Sequence, residues 1–168
     1  MKRLFVVRHA KSSWDDPTLP DFDRPLNSRG RENAPRMGGR LLARGVRPTA
    51  MLTSPALRAL STCEIIAQKL GFPTGLIQTN RALYHASPET IKQVLRKLPD
   101  SEDEPETLFV FGHNPGLTDF VNLLLNEAID NVPTCGVVEA QLDINRWREL
   151  TWGGGRLADF DFPKKHPD

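Results

Sequence analysis

The chain is poor in cysteine, with two in 168 residues. Neither Cys63 nor Cys135 has a second cysteine or a histidine at metal-ligand spacing. That argues against a disulfide scaffold and a structural zinc site, and two buried free thiols are expected. Aromatic residues are scarce at 7%, with a single tyrosine. Trp14, Trp147 and Trp152 have no spacing that would build a stacking platform, so they are read as core or loop-anchor residues. Long apolar runs are missing too. The run Leu4 to Val7 stops at Arg8, too short for the hydrophobic region of a signal peptide, and no other run approaches the roughly 20 residues that cross a bilayer. A cytoplasmic protein with no membrane partner is expected. Nor does one sign of charge dominate: 22 Lys and Arg face 21 Asp and Glu, a formal charge of +1. Nothing in that balance favours nucleic acid, although a site can be locally basic in a neutral chain.

What is present is an alternation of short apolar segments with helical patterns. The length fits a single domain, taken as residues 1–160, with a polar tail from Asp161 to Asp168. Leu4 to Val7 reads as a central strand covered on both faces. Lys11 to Arg29 has no clean period and reads as a long loop. A helix is expected from Ser28 to Arg44, with Ala34, Met37, Leu41 and Leu42 inward, Gly45 ending it and Pro35 kinking it or delaying its start. Thr49 to Thr53 is a strand. Ser54 then caps a helix with Pro55 at its first position, and Gly71 ends it. Gly75 to Gln78 suggests a short strand, and Ser87-Pro88 opens another helix that Pro99 closes. Asp100 to Glu106 is an acidic surface loop, Leu108 to Phe111 a strand, and Asn114-Pro115 a further helix start. Val137 to Leu142 and Arg146 to Thr151 read as a hairpin. The run Gly153 to Gly155 matches neither GxGxxG nor the P-loop pattern and is read as a turn, so no nucleotide cofactor is expected. This order predicts a three-layer α/β/α sandwich with a mixed, largely parallel sheet.

Three strand ends hand the chain to a polar residue. The first ends at Arg8-His9, the second at Ser54 with Arg58 one helical turn on, and the fourth at Gly112-His113. Residues just past the carboxyl ends of such strands face the ligand crevice, so the two histidines and two arginines are expected to converge despite their distance in sequence. Guanidinium forks and helix N-termini suit phosphate oxygens. A neutral imidazole attacks phosphorus, and surrounding cations hold it deprotonated while they stabilise the transferring charge. No metal is required for that chemistry. Arg58 in a first helical turn opposes the helix dipole and needs a counter-ion, either a surface carboxylate or bound phosphate. His85 reads as structural or pocket-lining, and His166 as a solvated tail residue. Asp15 and Asp16 are loop-solvating residues or acid catalysts. Asp119, six residues beyond His113, reads as facing away.

These motifs also resemble the histidine phosphatase superfamily, in particular its compact bacterial phosphohistidine phosphatase branch. The resemblance rests on Arg8-His9-Ala10, on Arg24-Pro25-Leu26-Asn27 with Gly30, on Leu52, Ser54-Pro55, Arg58-Ala59 and Thr62, and on Gly112-His113-Asn114-Pro115. It implies a phosphoglycerate mutase-like fold. His9 would be the phosphorylated nucleophile, with Arg8, Arg58 and His113 holding the phosphoryl group. Arg24, Asn27 and Ser54 would contact phosphate or substrate. Larger members acting on phosphate esters carry a Glu or Asp after the third strand, where this chain reads Leu83-Tyr84-His85-Ala86-Ser87. A sugar alkoxide needs such an acid, worth roughly 10²–10⁴-fold, whereas the nitrogen of a phosphoramidate is protonated by solvent. A phosphohistidine-bearing protein is therefore the expected substrate. Small phosphate esters are the alternative, with Asp15, Asp16 or His85 as acid. A mutase fits less well, and a phosphate-recognition module has no need of the nucleophile.

Overall fold

The computed structural model describes residues 1–99, 101 and 104–166. Among these residues six strands form one sheet: β1 (Lys2–Arg8), β2 (Ala50–Thr53), β3 (Gln78–Thr79), β4 (Thr107–Gly112), β5 (Val137–Leu142) and β6 (Gly155–Asp161). Their order is β3-β2-β4-β1-β5-β6. The pairs from β3 to β1 are parallel, while β1–β5 and β5–β6 are antiparallel. The sheet is thus mixed and largely parallel.

Among the described residues four α-helices cover it: α1 (Ser28–Ala43), α2 (Leu57–Leu70), α3 (Pro88–Arg96) and α4 (Gly116–Leu125). The period-2 alternation of a strand buried on both faces sorts the core into two layers. Leu4, Val6, Leu108 and Val110 pack with Ile91 and Leu95 of α3 and with Phe120 and Leu124 of α4. Phe5, Val7, Phe109 and Phe111 face the other way, onto Met37 of α1 and Ile66 of α2. This is the expected α/β/α sandwich. Phe5 and Phe109 stack at 4.5 Å between ring centroids, on adjacent strands in direct register.

Helix limits follow local chemistry. The Asn27 side chain accepts from the Gly30 N–H at 2.9 Å and caps α1, which starts regularly at Ser28 with Pro35 inside it. Ser87 accepts from the Thr90 N–H and caps α3 as expected. Gly71 ends α2 at φ 72°, in the left-handed region that a residue without Cβ enters without strain.

Other expectations are corrected. Leu42 is 47% exposed, and the inward position belongs to Gly38, packed against Lys69 of α2. Ser54 does not cap α2: the helix starts at Leu57, and Ala56 holds the capping position without a side-chain bond. Gly75 lies in a 3-10 turn (Thr74–Leu76), so β3 is only Gln78–Thr79. Arg146 to Thr151 is not a strand either. It holds a 3-10 turn, Trp147–Glu149, because the buried Trp147 Nε1–H donates to the Pro105 carbonyl and Glu149 accepts the Arg146 N–H. The partner of β5 is β6, which begins at Gly155 and takes in Asp161.

Nor is the segment from Asp161 a loose tail over its described part. Arg40 of α1 donates to the Asp161 carboxylate at 3.3 Å and to the carbonyls of Phe162 and Pro163 at 3.0 and 3.1 Å, and also to that of His166. One guanidinium thus straps the chain end to α1. Residues 100, 102 and 103 of the acidic loop, and 167 and 168 of the tail, lie outside the described residues.

Candidate active site

The topology gathers the polar strand ends into one cleft. Strands β1 and β4 are adjacent and parallel, so Arg8-His9 and Gly112-His113 emerge side by side. The His9 and His113 ring centroids are 5.3 Å apart. Strand β2 lies on the far side of β4 and delivers Ser54, whose Oγ is 2.8 Å from His113 Nε2. The cleft has a volume of about 550 Å³. Its wall includes Arg8, His9, Arg24, Arg58, His85 and His113, together with Asp21 and Asn27.

His9 is 7% exposed, and its Nδ1 lies 2.7 Å from the Ala10 carbonyl oxygen. A carbonyl only accepts, so Nδ1 carries the hydrogen, and the neutral ring leaves Nε2 with its lone pair. Burial lowers the His9 pKa to about 4; the Ala10 carbonyl opposes the shift, and the positive charges of Arg58, Arg8 and Arg24 add to it. The ring is therefore neutral across the physiological range. The turn behind it is fixed: the Ala10 N–H donates to Thr62 Oγ1 at 2.9 Å, and the Cys135 N–H points at the Arg8 and His9 carbonyls.

His113 is 3% exposed and shifted further down, first by burial and then by His9 and Arg58. Among the described residues, three buried side-chain nitrogens lack a hydrogen-bond partner: Arg8 Nε, Arg58 Nε and His113 Nδ1. All three belong to the cleft, and an anion with several acceptor oxygens answers such a set.

Asp21, which the sequence did not single out, is the hub of the site. Its Oδ2 accepts from Arg58 Nη2 at 2.9 Å and from the Tyr84 hydroxyl at 2.6 Å, and lies 2.9 Å from His85 Nε2. Oδ1 accepts from Arg24 Nε at 3.1 Å, and the Asp21 carbonyl accepts from Arg58 Nη1 at 2.7 Å. Burial works to raise the Asp21 pKa, but the bonds from Tyr84, His85, Arg58 and Arg24 outweigh it and hold the carboxyl well below the usual range. Asp21 is thus ionised, and it is the counter-ion that Arg58 needs.

A histidine phosphatase superfamily (branch 1) model matches residues 4–84. An uncharacterized chloroplast protein of Arabidopsis thaliana is 30% identical over 155 residues, covering 88% of this chain and 70% of that one. The chain belongs to the histidine phosphatase superfamily. Among solved structures, a protein of Agrobacterium tumefaciens proposed to be the phosphohistidine phosphatase SixA superposes with a TM-score of 0.79 at 26% identity, over 96% of this chain and 98% of that one. The protein histidine phosphatase SixA complexed with tungstate gives 0.82 at 22% identity, over 97% and 98%, which is a likeness of fold. This histidine phosphatase is accordingly an enzyme of the phosphatase and mutase type.

Within it, the expected residues divide cleanly. Arg8, His9, Arg58 and His113 meet in the cleft, with Arg24 and Asn27 on its wall. Arg24 is held by Ser12 Oγ at 2.7 Å and stacks 3.5 Å from the exposed Trp14 ring. Asn27 serves chiefly as the α1 cap, and Gly30 explains the close fit there: a Cβ would lie 2.2 Å from the Lys11 carbonyl oxygen. Ser54 contacts His113 and stands behind it.

Asp15 and Asp16 are not brought in. The loop closes on itself through the Ser12–Leu26 bridge, leaving both exposed, and Asp16 accepts from the Thr18 N–H and hydroxyl. Asp119 is exposed on α4, away from the cleft wall. His85 does reach the cleft, at a left-handed φ of 49°, a region that few residues other than glycine enter. Gly116 shows the constraint, since a Cβ there would sit 1.8 Å from the Ala86 carbonyl oxygen. The start of α4 thus presses on the His85 segment, and the His85 and His113 ring centroids lie 5.0 Å apart. No signal of spacing marked Asp21. Its position three residues before Arg24, in a loop tied to the matched motif, was the one available hint.

Among the described residues no helix is long and apolar enough to cross a membrane, and no group of three or more His, Cys, Asp or Glu is placed to hold a metal.

Proposed function

We infer that this histidine phosphatase is metal-independent, works through a phosphohistidine intermediate on His9, and removes phosphate from phosphohistidine in proteins. One observation supports this above others: a neutral His9 stands among Arg8, Arg24 and Arg58, while the one carboxylate on the described cleft wall, Asp21, is ionised. His9 Nε2 attacks phosphorus in line, forming an N–P bond as the bond to the leaving group breaks. The guanidinium groups and His113 take the charge on the equatorial oxygens, the place a divalent metal fills in other phosphatases. Water then attacks phospho-His9 and releases orthophosphate. A departing imidazole takes its proton from solvent, so an ionised Asp21 is no handicap; a sugar alkoxide would need an acid that Asp21 cannot be. The name of the Agrobacterium tumefaciens relative points the same way. A cytoplasmic location belongs to this reading.

One contact favours a second reading. His85 Nε2 lies on Asp21, the arrangement of an oriented imidazole that could protonate an alkoxide, and a small-molecule phosphomonoesterase would use it so. Turnover of a phosphohistidine protein, a sugar-phosphate panel and an aryl phosphate separates the two. We expect an acid-labile phosphate on His9 after quenching with the phosphohistidine protein and no turnover by H9A. Retained turnover in H9A would overturn the mechanism, and a preference for a sugar phosphate that is lost in H85A would overturn the substrate.

A further inference from the structure

A second cleft, of about 650 Å³, adjoins the phosphoryl site and shares Arg8, Lys11 and Thr134 with it. That volume lies in the range of sites that enclose a whole ligand, far more than a phosphoryl group needs. Among the described residues its charges are one-sided: Arg8, Lys11, Arg29, Arg36 and Lys164 against a single Glu32. Pro133, Phe162 and Pro163 supply an apolar floor.

The far wall is built, not incidental. Arg40 straps the Asp161–His166 segment to α1 by three carbonyls and the Asp161 carboxylate, which brings Lys164 to the same cleft as Arg29. The opening turn of α1 carries Arg29 and Arg31 and no acidic residue. Cations there oppose the helix dipole, so the arrangement disfavours the helix by itself and suits an anion beside it.

We propose that this second cleft binds an acidic segment flanking the phosphohistidine of the substrate protein. The proposal rests on the phosphohistidine reading above. Because the two clefts share Arg8, Lys11 and Thr134, one molecule can place its phosphoryl group in the first and the adjoining segment in the second. Acidic side chains meet Lys11, Arg29 and Lys164 at the rim, while an apolar neighbour covers Phe162 and Pro163. Electrostatic complementarity of this kind selects among partners and speeds encounter.

The test uses two phosphohistidine peptides, one with Asp and Glu flanks and one with neutral flanks. Their binding to the full-length H9A protein is read by fluorescence anisotropy, and their hydrolysis by the wild type is followed separately. The acidic peptide should bind about tenfold tighter at low salt, with the advantage fading as salt is raised. Adding R29E and K164E should abolish the advantage, and R29Q with K164Q should reduce it. Glu at position 29 suits the helix dipole, so R29E is expected to fold. In the wild-type His9 background both pairs should leave aryl phosphate turnover unchanged. Equal binding of the two peptides, or an advantage indifferent to charge reversal, overturns the proposal. So does protection of the cleft by a nucleoside polyphosphate when neither peptide binds. An acidic preference without hydrolysis of either peptide would leave the cleft assignment standing and remove the phosphohistidine reading instead.

Discussion

Replacing Asp21 by Asn tests how the arginine clamp is held. The Arg58 side chain is 2% exposed and Asp21 38% exposed, with 2.9 Å between Nη2 and Oδ2. Breaking a fully buried pair costs about 3–5 kcal/mol, because the surviving charge is left without a counter-ion. Solvent reaches the Asp21 carboxylate and screens part of that, and the Asp21 carbonyl still accepts from Arg58 Nη1. A loss of about 2 kcal/mol is therefore expected for D21N, or roughly 4–8 °C in Tm for a domain of this size. The pH dependence has a definite sign. The folded-state pKa of Asp21 is depressed, so its contribution is complete above the unfolded value near 3.9 and declines as pH falls below it. The gap between wild type and D21N should thus be constant from about pH 5 to 8 and narrow in stronger acid. Orthophosphate adds a second readout. The carboxylate and a bound phosphate compete for one guanidinium, so phosphate should raise the Tm of D21N more than that of wild type. Urea denaturation and thermal scans with and without phosphate measure all of this. A D21N protein within about 0.5 kcal/mol of wild type, with an equal response to phosphate, would refute the idea that Asp21 holds Arg58 in place.

Arg58→Ala should cut kcat/KM by about 2.7–4 kcal/mol in transition-state terms, the scale of losing a strong oxyanion donor, and steady-state kinetics on any turned-over substrate will show it. The same change should destabilise the free fold, since it empties a buried site and removes a partner of Asp21, whatever relief the helix dipole gains. With His9 lowered to about 4, kcat/KM should stay level from about pH 8 down to 5 and fall only as pH approaches 4. Over a similar window native stability should decline as pH drops from about 6.5 toward 4, because the unfolded imidazole gains its proton first. Activity after exhaustive dialysis against EDTA should equal that of untreated enzyme, with tungstate or vanadate inhibiting competitively; restoration by magnesium or manganese of activity lost to EDTA would overturn the metal-free mechanism.

The sequence by itself determined the architecture and which strand ends meet in the cleft. Runs such as Leu4 to Val7 and Leu108 to Phe111 are apolar at every position, the signature of a strand buried on both faces, and this puts His9 and His113 at strand ends. Local signals also marked Gly45, Gly71 and Ser87, because caps and left-handed turns depend on a few neighbouring atoms. Non-local pairing was beyond reach. The strand β6 lacks a strong alternation and is selected by the edge that β5 offers, while Arg146 to Thr151 was diverted into a turn by the burial of Trp147. The strap from Arg40 spans more than a hundred residues and turned an expected tail into a cleft wall. Asp21 is the clearest case. Only its place three residues before Arg24 distinguishes it from Asp15 or Asp16 in the sequence, since all three are carboxylates in one loop. Only the folded chain, by bringing Arg58 from α2 and Tyr84 and His85 from beyond β3 to the same oxygen, made one of them the counter-ion of the site. Charge pairing acts through space, so its partners are settled by the fold and not by their order along the chain.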